Sequence, residues 1–370
     1  MAYNQIKHVL PQFRFRGRFA QAAEVRSGNV NSTFVLTYQE GEKAHLYTLQ
    51  KLNTYVFKNP RGVMTNIAAI TDHLRAGIGA DQADAHRQAL EVIRTHDNDV
   101  MLQDGEGNIW RAYAYIADAL ALDMVENLSQ MEEVGHAFGR FQRLLADFPA
   151  DRLFVTIPDF HHSTKRFYAF VRAVDKDMAG RVQGLEEDIE FFFERRRMLG
   201  EIVKLLDQGV LPLRVTHNDT KSNNVLLDEK TGRALCVIDL DTVMPGSALY
   251  DYGDAVRFGA SDALEDEPDT SKVSLNLDKA RAFTRGFVQE TAGFLTDAEL
   301  SRLPLGIKVI TAELAMRFFT DYLDGDLYFK VDYPEHNLVR ARAQMALLRD
   351  IERKEEALYR MVREDVARFG

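Results

Sequence analysis

One stretch constrains this chain more than any other. It runs Val215-Thr-His-Asn-Asp-Thr-Lys-Ser-Asn-Asn-Val-Leu-Leu-Asp228, continues through Glu-Lys-Thr-Gly232, and ends in Ala234-Leu-Cys-Val-Ile-Asp-Leu-Asp241. Two apolar runs of strand length flank a turn, so the segment predicts a β-hairpin. Polar residues stand where both chains leave the apolar runs. His217, Asp219 and Asn224 follow an H-x-D-x4-N spacing, and Asp239 comes fifteen residues after Asn224. Asn, Asp and Thr gather in turns because their side chains bond nearby backbone. That tendency explains a polar turn but not this spacing.

The remaining chain divides by pattern. Asn31–Tyr38 and His45–Leu52 are β-rich runs joined by a loop in which Gly41 is available for positive φ. Met64–Arg75 carries Met64, Ile67, Ala68, Ile70 and Leu74 on one helical stripe. Val100–Gln103 and Ile109–Ile116, separated by Asp104-Gly-Glu-Gly-Asn, predict a second hairpin. Beyond Ala117 helix dominates. Ser129-Gln-Met-Glu132 matches a capping box opening a helix with Met131, Val134, Phe138, Phe141 and Leu145 on one face. Glu186–Asp207 predicts one long helix, with Ile189, Phe192, Phe193, Leu199, Ile202 and Leu206 inward. Thr296-Asp-Ala-Glu299 is a second capping box, and Gly306–Leu323 and Leu338–Phe369 are helical. Asp262–Thr270, with five acidic residues and Pro268, is expected to be a mobile loop. The fold class is therefore α+β: a small antiparallel sheet over residues 1–112, a linker at 113–118 and a larger, mainly helical region over 119–370.

Composition excludes several classes. With 370 residues, 46% hydrophobic and 28% charged, the chain is ordinary globular material, long enough for a substantial core. The net charge of −10 opposes a nucleic-acid partner. Cys236 is the sole cysteine, and Arg14, Arg16 and Arg18 interrupt any signal-like run, so a reducing cytoplasm is expected. No stretch approaches the roughly 18 apolar residues a membrane helix needs. A monomer or weak homodimer is expected.

The polar set suits phosphoryl transfer, which needs an anion-neutralising metal and an acceptor for the nucleophile's proton. An amide oxygen and a carboxylate, Asn224 and Asp239, form a sparse hard-ligand pair suited to Mg²⁺ that keeps waters and takes nucleotide phosphates. Asp219 is then left to accept a substrate hydroxyl's proton or to orient that hydroxyl in line. His217 and Cys236 are expected to be structural, and Trp110 to be core.

The spacing of His217, Asp219, Lys221 and Asn224 matches the catalytic loop of eukaryotic-type kinases, with Asp239 in the place of their metal-binding acid, although no Phe-Gly follows it. Over His217–Phe258 the chain resembles the aminoglycoside phosphotransferase/choline kinase branch of the protein-kinase-like fold, and within it the N-acetylhexosamine 1-kinases most of all. Leu49–Met64, Trp110–Ile116, Thr156–Phe167 and Arg317–Phe329 extend the likeness over most of the chain.

That resemblance implies two lobes, ATP as nucleotide and Mg²⁺ as metal. It implies a catalytic base at Asp219 with Lys221 beside it, metal ligands at Asn224 and Asp239, and Asp241 supporting the metal or the acceptor sugar. Adenine would meet backbone groups of the linker around Tyr115 and Ile116. The phosphates would lie under Ser27–Thr33, where one glycine, Gly28, leaves contact to the loop amides and the Asn29, Asn31, Ser32 and Thr33 side chains. The family's strand lysine is replaced by Gln50. Because side chains alternate, Gln50 is expected inward and Lys51 outward, with cationic charge from Lys221 or Arg61. Arg317 and Tyr328 look like sugar contacts, with His161 and His162 as further candidates; Arg317 has Glu313 as an alternative helical partner. The implied activity is in-line phosphorylation of the anomeric hydroxyl of GlcNAc or GalNAc. The alternatives are an aminoglycoside or amino-alcohol kinase using Glu265, Asp266, Glu267 and Asp269, and a catalytically silent nucleotide-binding protein.

Overall fold

The computed structural model describes residues 2–25, 31–79, 84–122 and 124–370. Its contacts divide the chain into two compact units: Met1–Ala121, Asp147–Pro158 and Asn224–Pro245 in one, Leu122–Ala146, Asp159–Asn223 and Gly246–Gly370 in the other. The chain is α+β, with an antiparallel sheet in its N-terminal region and a helical C-terminal region. The division is less simple than a cut near residues 112–119. Strand Ala119–Ala121 pairs with Val225–Asp228, which pairs in turn with Ala234–Val237. Those backbone ladders draw the later hairpin into the first unit.

In the first unit, six strands form one antiparallel sheet: β1 Arg18–Val25, β2 Ser32–Glu40, β3 Lys43–Lys51, β4 Val92–Ile93, β5 Leu102–Gln103 and β6 Ile109–Ala114. The order is β1-β2-β3-β6-β4, with β5 also pairing β6. Pairing of Glu40 with Lys43 leaves a two-residue turn, where Gly41 takes φ +62. β1 was not foreseen from the sequence. It is an edge strand rich in alanine and none of its residues is fully buried, so it lacks the alternation that betrays a strand. Phe34, Leu36, Leu49, Trp110 and Ala112 share one core with Ile6, Val9 and Phe13. The helix between the hairpins spans Pro60–Ile78, longer than its apolar stripe, because Asn59 caps it by accepting from the Gly62 N–H and Pro60 opens it.

The second unit is helical, built around Phe167, Phe170, Phe192, Met316, Phe319 and Leu348. Three sequence expectations change here. Asn127, not Ser129, caps the helix Leu128–Leu144, and the Gln130 side chain returns a bond to the Glu126 N–H. Glu186–Asp207 is three short helices, Glu186–Glu194, Arg196–Leu199 and Glu201–Asp207. Phe191 takes the inward place expected of Phe193, which is exposed; Arg195 lies 3.8 Å over the Phe191 ring and pairs with Glu352. Leu338–Phe369 is likewise two helices, His336–Arg353 and Glu355–Phe369, separated at Lys354, whose ammonium is bound by Leu275 O and Asp350. The capping box at Thr296–Glu299 is present with both reciprocal bonds. Among the described residues, no helix is long and apolar enough to cross a membrane.

Candidate active site

The boundary between the units falls at Asn223/Asn224, inside the polar segment. In the first unit, Asn224 and Asp239 leave the same end of the β-hairpin: Val225 is paired with Val237, and the Ile238 N–H donates to the Asn224 carbonyl at 2.9 Å. Asp239 adopts φ +59, ψ +58, a left-handed conformation that Asp tolerates better than bulkier residues. An amide and a carboxylate carried at one hairpin end are hard oxygen donors, and this set fits Mg²⁺ with its remaining positions left for water and phosphate.

Across the sheet, Thr33, Gln50 and Arg111 lie in register on β2, β3 and β6. Gln50 Nε2 donates to Thr33 Oγ1 at 3.0 Å, and Gln50 Oε1 accepts from Arg111 Nε at 2.9 Å. Arg111 also grips Asp241 with both terminal nitrogens, Nη2 to Oδ2 at 3.0 Å, and both side chains are buried. Burial opposes charge on Arg111, but Asp241, Tyr113 and Asp239 outweigh it, and its pKa rises above even the usual arginine value. Asn31 Nδ2 donates to Asp241 Oδ2 at 3.0 Å, and its side-chain Oδ1 accepts from the Asn53 N–H.

Several expected roles change accordingly. Asp241 is buried and held by Arg111 at both oxygens and by Asn31 at one. Ser32 stands in the row of Lys51 and Trp110, so strand alternation puts it on the opposite face from Thr33 and Gln50. The side chains of Asn31, Thr33 and Gln50 are engaged in bonds within this unit: Gln50 with Thr33 and Arg111, and Asn31 with Asp241 and Asn53. Arg61 pairs with Asp99 at the surface. The buried cation beside Gln50 is Arg111, which the sequence offered only as part of an ordinary strand, Trp110-Arg-Ala-Tyr. The Tyr115 N–H is already donated to Leu46 O, while its ring is exposed and Ile116 is buried. Gly28 lies outside the described residues. Trp110 is core, donating Nε1–H to Asp104 Oδ2 at 2.8 Å.

In the second unit, Asp219 and Lys221 sit together, with Oδ1 and Nζ 3.2 Å apart and both partly exposed. Burial works against the Lys221 charge, but Asp219, Glu265 and Asp254 outweigh it, so the ammonium is held above its ordinary range. The loop is fixed by two carboxylates from the helix Ala248–Gly259. Asp251 accepts from the His217 and Asn218 N–H groups at 2.9 and 2.8 Å and from Gln142 Nε2 at 2.6 Å. Asp254 accepts from the Thr220 N–H at 2.9 Å and pairs with Arg257. These bonds let Asn218 hold φ +65, a turn that carries the chain from His217 into Asp219. His217 is fully buried, edge-on to Phe138 and Phe141, as a structural histidine should be. Asp251 and Asp254 were not singled out from the sequence, although two acids three apart in a helix buried along most of its length were a visible signal.

The same unit holds the expected acceptor residues. His162 caps the helix Ser163–Lys176, its Nδ1 accepting from the Lys165 N–H at 3.4 Å. His161 pairs with Glu313 at 2.9 Å, so Glu313 is not the partner of Arg317. The Arg317 guanidinium lies among the rings of Phe160, Tyr328 and Phe329, at 5.6, 5.8 and 5.4 Å. Asp321 positions the loop bearing exposed Tyr328 by accepting from the Leu327, Tyr328 and Phe329 N–H groups. The acidic run 262–270 is tied down: Glu265 to Arg257, Asp266 to His336, and Glu267 and Asp269 to Lys272.

Residues 22–287 match the phosphotransferase enzyme family. The chain belongs to that family. Solved structures share the fold of this phosphotransferase at low identity. An aminoglycoside phosphotransferase from Alicyclobacillus acidocaldarius has a TM-score of 0.58 at 12% identity, over 98% of this chain and 96% of that one. A choline kinase from Cryptosporidium parvum gives 0.55 at 12%, over 94% and 93%. A spectinomycin phosphotransferase solved with ADP and spectinomycin gives 0.55 at 13%, over 95% and 98%. The architecture is thus kinase-like.

Proposed function

We propose that this phosphotransferase is an ATP- and Mg²⁺-dependent kinase acting on the anomeric hydroxyl of an N-acetylhexosamine. Asp219 accepts the proton of that hydroxyl, whose oxygen attacks the terminal phosphorus in line as the bond to ADP breaks. The products are sugar 1-phosphate, ADP and one proton. A hemiacetal hydroxyl is more acidic than an ordinary alcohol, so a carboxylate is an adequate base. Lys221, kept charged, lies 3.2 Å from Asp219 Oδ1 and orients that carboxylate. Asn224 and Asp239 would hold Mg²⁺, which when bound neutralises charge on the phosphate oxygens. The spectinomycin phosphotransferase of similar fold was solved with ADP, in line with a nucleotide donor here.

The observation that carries the acceptor assignment is a matter of charge. A polycationic acceptor needs unpaired carboxylates, and here Glu265 pairs with Arg257, Glu267 and Asp269 pair with Lys272, and Asp266 lies against the His336 ring, all within their own unit. The expected acceptor residue Arg317 is a cation among aromatic rings, with Arg166 close enough for the two to repel. Such a surface suits a neutral ring rich in hydroxyl and amide oxygens.

An acceptor panel of neutral sugars and cationic amino alcohols, read as ADP release with the phosphate then located on the product, tests the assignment. Turnover confined to the cationic acceptors overturns it. Asp219→Asn is expected to lower kcat at least about 100-fold, within the usual range for a general base, while ATP binding by calorimetry stays near wild type. An unchanged kcat refutes the base assignment, and a wild-type protein that binds ATP without any turnover would be the silent alternative.

A further inference from the structure

Three polar atoms are buried without a partner in one corner of the second unit: His161 Nε2, Glu313 Oε2 and Arg166 Nε. They belong to one connected cluster. Glu313, on the helix Leu303–Leu323, is almost fully buried and gives its other oxygen to His161 Nδ1 at 2.9 Å. The His161 ring is wedged between Phe160, edge-on at 4.5 Å, and Tyr250 at 5.0 Å. Arg166 reaches the Phe160 carbonyl at 3.3 Å, and the positive charge of Arg317 adds to burial in lowering the Arg166 pKa.

Glu313 and Arg317 are one helical turn apart, the spacing at which a glutamate and an arginine on one helix ordinarily pair. They do not pair here. The wedged imidazole holds the carboxylate, and Arg317 lies over three aromatic rings instead. We propose that His161 is a positioning residue for the acceptor: it keeps the Glu313 carboxylate off Arg317, so that the guanidinium stays available to a neutral group that carries a hydrogen-bond acceptor, as the carbonyl of an acetamido substituent does. This rests on Arg317 being an acceptor contact in the kinase proposed above.

Without His161, Glu313 is released to its helical neighbour, and the fraction of molecules with Arg317 available falls. Apparent affinity falls by that fraction; one molecule in ten left competent gives about a tenfold loss. The test uses the full chain with N-acetylglucosamine as probe, measuring acceptor KM, ATP KM, kcat, calorimetric sugar binding and melting temperature. His161→Ala is expected to raise acceptor KM about tenfold with ATP KM unchanged. His161→Ala/Glu313→Gln, which removes the competing charge, is expected to recover most of that loss. His161→Gln keeps a donor for Glu313 and is expected to stay near wild type. If His161→Ala folds normally and leaves acceptor KM unchanged, or if the double variant is as impaired as the single one, the proposal fails. Should His161→Ala not fold, His161→Gln decides: normal melting with a tenfold KM defect overturns the idea, and wild-type KM supports it. Arg317→Met separates the levels. A large acceptor defect there with none in His161→Ala overturns only this inference. Unchanged acceptor KM in Arg317→Met, or no binding of the sugar by the wild type, removes the acceptor assignment and this inference with it.

Discussion

Asp241→Asn offers the sharpest test of the sheet-side architecture. The Arg111 and Asp241 side chains are 3% and 4% exposed, so the substitution leaves a desolvated guanidinium without its counter-charge. Breaking one side of such a pair costs about 3–5 kcal/mol, mostly as the penalty of the stranded charge. Some compensation survives: Gln50 still accepts from Nε, the Tyr113 ring lies 5.3 Å from the guanidinium, and asparagine retains one acceptor oxygen. The lower end, about 3 kcal/mol, is therefore expected. Against a total stability of about 5–15 kcal/mol that is a large fraction, and it corresponds to about 6–12 °C in the melting temperature of a unit of this size. Circular dichroism melts and urea titrations read it directly, with the urea slope unchanged. Arg111→Met/Asp241→Leu, which removes both charges and fills the space, should regain most of the loss. A melt of Asp241→Asn indistinguishable from wild type would refute the account of this pair as a buried, mutually dependent clamp.

Two further outcomes follow from the geometry. A Cβ on Gly253 would stand 2.4 Å from the Gly306 backbone where helices Ala248–Gly259 and Leu303–Leu323 cross, so Gly253→Ala should destabilise by about 1–3 kcal/mol or more by overpacking; an unshifted urea midpoint would contradict so close a crossing. Asp228 is held down to about 2 by the Thr231 backbone N–H, the Arg87 guanidinium and the Thr231 hydroxyl. Its folded pKa lies below the ordinary aspartate value, so its contribution to stability is complete above that value and is lost as pH falls toward 2. Wild type should therefore lose stability more steeply than Asp228→Asn between about pH 4 and pH 2, and parallel curves would count against this bond set.

What the sequence determined by itself was local. The hairpin strands, the turn at Gly41, the box at Thr296 and the structural parts of His217, Cys236 and Trp110 all follow from periodicity, propensity and turn chemistry within a few residues. The set Asp219, Lys221, Asn224 and Asp239 was equally visible, because its spacing is carried on one continuous stretch of chain. Tertiary structure decided who partners whom. Arg111 meets Asp241 across 130 residues, and His161 meets Glu313 across 152. No window of sequence reveals that His162 caps a helix through Nδ1, or that Asp241 pairs with a strand arginine. A buried charge must find a counter-charge wherever the fold supplies one, and that choice is made by burial rather than by neighbours along the chain.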